Sequence, residues 1–193
     1  MHWIDPLSLP ETTGTVTRFL YNAHGDADGF LMDDDRQVHF PPHLSAELLK
    51  KVGVGDKVSV RGVKPRGAEV VAGVSLRGAN GSEVTDEGPD AKPKRPAAAR
   101  IAKPVEIHGR VQQTLYAPKG EVCGAILESG DIVRMRPKEN ATLAPYFEPG
   151  VNIGVWGDAI VVRGAASDRP GAGRFRRLTH LGQHRRLRTD PGC

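Results

Sequence analysis

The chain has 193 residues, with 27 Lys and Arg against 23 Asp and Glu, a formal net charge of +4, and two cysteines. That length fits one or two domains. No apolar run approaches the ~20 residues that cross a bilayer, residues 1–6 lack the basic start and apolar stretch of a signal peptide, and Cys123 and Cys193 form neither a disulfide framework nor a cysteine metal site, so a cytoplasmic protein without a membrane partner is expected.

Residues 15–21 alternate β-branched and aromatic side chains and are broken by Asn22-Ala23-His24-Gly25-Asp26, which predicts a first strand and a turn. A second strand is expected over 28–32 and, after Asp33-Asp34-Asp35-Arg36, a third over 37–40 with Val38 and Phe40 on one face. Pro41-Pro42 forbids its continuation. Residues 44–51 put Leu44, Leu48 and Leu49 on one stripe, with Ser45 as candidate N-cap, so a short helix follows. Gly53 and Gly55 end it. Val58 and Val60 then alternate with Lys57, Ser59 and Arg61 in a fourth strand, Lys64-Pro65-Arg66-Gly67 turns the chain, and 69–76 makes a fifth strand.

This path occurs twice. At an offset of 95, residues 14–62 align with 109–157 without a gap and thirteen positions are identical, among them Val16/Val111, Leu20/Leu115, Tyr21/Tyr116, Gly29/Gly124, Val38/Val133 and Gly55/Gly150. The matches are glycines at turns and aliphatic residues at alternating positions, so a backbone path and its core are duplicated. The second copy is expected to run through strands at 111–116, 125–128 and 132–135, a helical segment at 141–147 weakened by Pro145, and strands at 151–156 and 159–164 joined by a turn cut to Gly157-Asp158.

Three strands, a short helix and two strands, carried by the glycine-bounded first strand, the strand stopped by Pro42, the 44–49 helix and the 55–62 strand, resemble the OB-fold, the five-stranded Greek-key barrel that binds oligonucleotides or oligosaccharides. The resemblance covers about residues 12–77 and recurs in the second copy. It implies an all-β protein of two small five-stranded OB-like barrels, each with a short helix between strands 3 and 4, at 1–78 and 105–166. The alternative reading is another all-β module, with six similar strands. Between the copies, 79–104 is rich in Gly, Pro, Ala and charge and reads as a flexible linker. Residues 167–193 form an Arg-rich tail.

Dividing the charge by segment changes its meaning. Residues 1–78 carry nine Lys/Arg against ten Asp/Glu, 105–165 six against seven, and 166–193 seven against two. Near-neutral copies lack the general pull of a strong polyanion binder, whereas arginine-rich segments grip phosphates through paired guanidinium contacts. In OB-folds the ligand lies across strands two and three. There the second copy alternates Arg134 and Arg136 with Val133 and Met135, and Lys138 follows. Lys119 in the loop after the first strand adds a cation, and Tyr116 and Trp156 add rings able to stack on bases. Arg174, Arg176, Arg177, Arg185, Arg186 and Arg188 complete the candidate nucleic-acid contacts. The competing readings are solvated strand arginines, a core or rim role for Tyr21 and Tyr116, and packing of Trp156.

His24, His39 and His43 raise a metal reading, but Arg134 and Lys138 replace His39 and His43 in the second copy and Pro41-Pro42 spaces the imidazoles apart. Asp33-Asp34-Asp35 lacks the glycine and closing glutamate of a calcium loop. His180 and His184 have Gly182 between them and no third ligand. No metal or other cofactor is expected, and no phosphate-cradling loop or nucleophile elbow points to an enzyme. Two functions follow: a protein binding nucleic acid, single-stranded DNA or RNA with little sequence readout, or a protein-interaction and assembly module whose barrels or tail meet an acidic protein partner.

Overall fold

The structure is a computed structural model that describes residues 5–88, 103–135 and 140–160. The chain divides into two compact units, the main boundary falling between Pro96 and Ala97. In the first unit β1 (Glu11–Tyr21), β2 (Ala27–Met32), β3 (Gln37–His39), α1 (Ser45–Lys51), β4 (Lys57–Val63) and β5 (Val70–Gly78) follow in the expected order, and β6 (Glu83–Thr85) is added. The sheet runs β3-β2-β1-β4-β5-β6, and β3 also pairs in parallel with β5, Val38 opposite Val71. That pairing closes five strands into an OB-like barrel.

Alternation sorts the barrel's side chains. Val16, Leu20, Phe30, Met32, Val60 and Leu76 are all buried, and each such side chain contributes about 1.5–3 kcal/mol by leaving water. α1 adds Leu48, fully buried, and Leu44 stands buried just before it, while Leu49 is 40% exposed. A helix of seven residues covers the core with one narrow face, and Leu49 lies some 100° round the axis from Leu48. Ser45 is not the N-cap: a 3-10 turn over Pro42–Leu44 leads into the helix, and Leu44 occupies the cap position with no side-chain bond. The Ser45 hydroxyl instead accepts the Ala27 N–H at 2.8 Å, satisfying a buried donor at the start of β2.

The stretch read as a linker begins with ordered structure. β6 pairs with β5, Leu76 opposite Val84, and Val84 is fully buried. Lys51 Nζ donates to the Glu83 carbonyl, Ser82 Oγ to the Lys51 carbonyl, and His43 Nε2 lies 3.1 Å from Asp86. The acidic composition of this stretch hid one buried valine and its backbone ladder.

In the second unit β7 (Lys103–Tyr116), β8 (Val122–Leu127) and β9 (Ile132–Arg134) are followed by α2 (Asn140–Leu143), a 3-10 turn over Ala144–Phe147 and β10 (Asn152–Ala159). The sheet order is β10-β7-β8-β9, a half-barrel of four strands among the described residues, where a five-stranded barrel was expected. Ile107, Val111, Leu127, Phe147, Ile153 and Val155 belong to its core. No turn occurs at Gly157-Asp158. β10 runs through them because β7 starts early and supplies partners, Val105 for Gly157 and Pro104 for Asp158. Ala159 therefore ends β10, and 161–164 of the expected last strand lie outside the described residues, as does the Arg-rich tail.

The duplicated letters mark duplicated geometry. Register breaks fall between Val16 and Arg18 and between Leu20 and Tyr21 in β1, and at the matching Val111/Gln113 and Leu115/Tyr116 in β7. Gly55 and Gly150 have φ of +94° and +90°. A Cβ built on Gly29 would lie 2.0 Å from the Val38 carbonyl oxygen, and one on Gly124 would lie 1.9 Å from that of Val133. Neither position admits a side chain without moving backbone. Gly29→Ala and Gly124→Ala should each lower the stability of their own unit by about 2–4 kcal/mol, read as a shift in urea midpoint; an unchanged midpoint in either would contradict the close approach.

Candidate nucleic-acid interface

Which strand faces are open decides where a ligand could lie. In the first unit the surface of strands two and three is closed: Gln37, Val38 and His39 are 1%, 0% and 2% exposed. In the second unit Ala125, Leu127 and Val133 point into the core, so Ile126, Ile132 and Arg134 take the other side. Ile126 and Ile132 are also buried, and the cationic row begins at Arg134, half-buried opposite Gly124 on β9. Arg136 and Lys138 lie outside the described residues, as do Arg174, Arg176, Arg177, Arg185, Arg186 and Arg188. Tyr116 ends β7 at the register break, half-buried, while Tyr21 is 6% exposed, and Lys119 is exposed in the loop before β8.

Trp156 sits away from this row, on the outward side of β10. It meets His108 with ring centroids 6.0 Å apart and planes at 84°. Glu106 stands opposite Trp156, His108 opposite Gly154 and Arg110 opposite Asn152. His108 Nε2 lies 2.9 Å from Glu106 Oε1, and Arg110 Nε donates to the Gly150 carbonyl at 3.1 Å. The first strand of the second copy was expected to begin at Val111, which left these three β7 side chains unplaced. The period-two series Val105, Ile107, Gly109, Val111 was the signal for a longer strand.

The histidines of the first unit diverge, His39 into the buried strand and His43 to Asp86. Among the described residues no three His, Cys, Asp or Glu side chains form a group that could hold a metal ion. The aspartate run builds a turn. Asp34 accepts the Arg36 N–H and pairs with its guanidinium at 2.9 Å, and Asp35 takes φ +61°. Asp33 Oδ1 accepts the Thr15 N–H at 3.0 Å, and this bond, helped by the charge of Lys57, holds the Asp33 carboxyl below the usual carboxylate range. At the β1 register break, burial lowers the Arg18 guanidinium pKa. No helix among the described residues is long and apolar enough to cross a membrane.

No family model matches the chain, and no curated protein matches it. Among solved structures it is similar to a deletion mutant of the single-stranded DNA binding protein from Thermus aquaticus, at 14% identity over 93% of this chain and 92% of that one, with a TM-score of 0.24. So loose a superposition adds nothing to the fold, which rests on strand order and barrel closure.

A carboxyl whose folded pKa is depressed stabilises above its unfolded pKa, and that stability is lost as pH falls through the folded value. Asp33 is such a group. Between pH 7 and pH 3 the wild-type urea midpoint should fall further than that of Asp33→Asn; equal falls would show that the Thr15 bond does not favour the ionised form.

Proposed function

We propose that the protein binds single-stranded nucleic acid with little sequence readout, as a binding protein without catalysis, and that the second unit with the chain following it does most of the binding. The second unit is, in this reading, a trimmed copy of the first, so that the chain is a tandem OB-like protein. The observation that carries the reading is the contrast at one duplicated strand position: the first unit has His39 there, 2% exposed, and the second has Arg134, half-buried at the head of a basic series. In sequence that series continues with Arg136 and Lys138 and ends in a segment of seven Lys/Arg against two Asp/Glu. Guanidinium groups meet phosphates in pairs of hydrogen bonds whatever the base sequence.

The near-neutral charge of both folded stretches favours a second reading, a module for assembly with an acidic protein partner. Salt separates the two. By fluorescence anisotropy, the full chain should bind a single-stranded oligonucleotide at micromolar or tighter affinity, with log affinity falling linearly against log salt. Arg134→Ala with Arg136→Ala, and deletion after Ser167, should each flatten that slope, by about 0.7 for every phosphate no longer neutralised. Absence of binding at low salt would sink the nucleic-acid reading in favour of assembly.

A further inference from the structure

The ribbon of β7 and β10 is the second unit's counterpart of β1 and β4, and the two ribbons keep the same register. What they carry differs. The first unit's outward pairs are Glu11 with Arg61, Thr13 with Ser59 and Thr15 with Lys57, and Arg61 is tied down by Glu11 at 2.9 Å and by the Leu7 and Leu9 carbonyls. The second unit's pairs are Glu106 with Trp156, His108 with Gly154 and Arg110 with Asn152. An ion pair and hydroxyls serve the fold at these positions, so it does not require an indole there, nor a glycine beside it.

Ile107, Ile153 and Val155 of the same strands fill the core, which turns Glu106, His108 and Trp156 outward. Gly154 is the floor between the rings. A Cβ on it would stand 2.9 Å from His108 Cε1 and 3.4 Å from Trp156 Cη2, so both rings lean over the space that a side chain would fill. Set at 84°, the imidazole and the indole form a corner: a flat ring lying on one meets the other edge-on, the geometry aromatic groups prefer. His108 is 68% exposed and is oriented by Glu106. Arg110, steadied by the Gly150 carbonyl and 57% exposed, lies four residues along the strand from Glu106, about 14 Å away.

We propose that this outward face of the β7–β10 ribbon stacks a nucleobase of a single-stranded nucleic acid, with Trp156 as the platform and His108 as its side wall. The proposal rests on the nucleic-acid reading above and deepens it by placing the ring contact apart from the Arg134 row. Glu106 and Glu128 offset Arg110 on and beside the strip, so phosphate attraction is weak there and ring contact supplies the affinity. Stacking of this kind changes little with salt, whereas phosphate contacts fade steeply.

The test uses the full chain with Trp3→Phe, which leaves Trp156 as its only indole. Oligothymidylate should quench the indole emission, and an abasic oligomer of the same charge should not. Trp156→Leu and the surface change His108→Ala should each weaken binding about tenfold, within the range of one stacked base, with the salt slope unchanged. Wild-type affinity in both variants together with unmoved emission overturns the stacking site and leaves the nucleic-acid reading standing. Absence of any oligonucleotide binding at low salt overturns both.

Discussion

In each unit a carbonyl oxygen occupies the place where a side chain would begin. The Val38 oxygen lies against Gly29 and the Val133 oxygen against Gly124, an approach that only glycine permits. In the first unit β3 also pairs in parallel with β5 and so closes the barrel, while in each unit the approach sets the backbones of the second and third strands hard against one another. It also leaves His39 and Arg134 facing a glycine across the ladder, which is why that position can hold a bulky polar side chain in either unit.

The strand order of the first unit was legible because alternation and turn chemistry agreed along it, and in the second the gapless repeat located the first three strands but not the last turn. What stayed hidden was set by partners distant in sequence. β1 starts at Glu11, before the alternating run, because β4 offers Arg61 and Val60 to Glu11 and Thr12. β6 arises in a stretch whose acidic, Gly-rich composition reads as solvated, since a single buried Val84 and a ladder to β5 outweigh propensity. Ser45 has the residue type of a cap, but a preceding 3-10 turn had already begun the helix and freed its hydroxyl for Ala27. Trp156 was legible as a candidate ring. Its neighbours were not, because cross-strand register appears only once the strands are paired.

Several core and turn positions are shared by the two units; the outward residues are not. Glycines at the close approaches recur in both units, whereas His39 gives way to Arg134 on one strand pair and an ion pair gives way to aromatic rings on another. The near-neutral charge of the folded stretches is compatible with binding when rings and a few guanidinium groups act locally.

The tight turn after β2 has a counterpart after β8. Its left-handed residue is Asp35 at φ +61° in one half and Gly130 at φ +85° in the other, and aspartate is one of the few residues besides glycine that tolerates this conformation. Two different amino acids thus answer one steric demand, and a residue-by-residue tally scores the pair as a mismatch. The backbone keeps the torsion where the letters differ, so the percentage of identical residues understates how alike the two turns are in conformation.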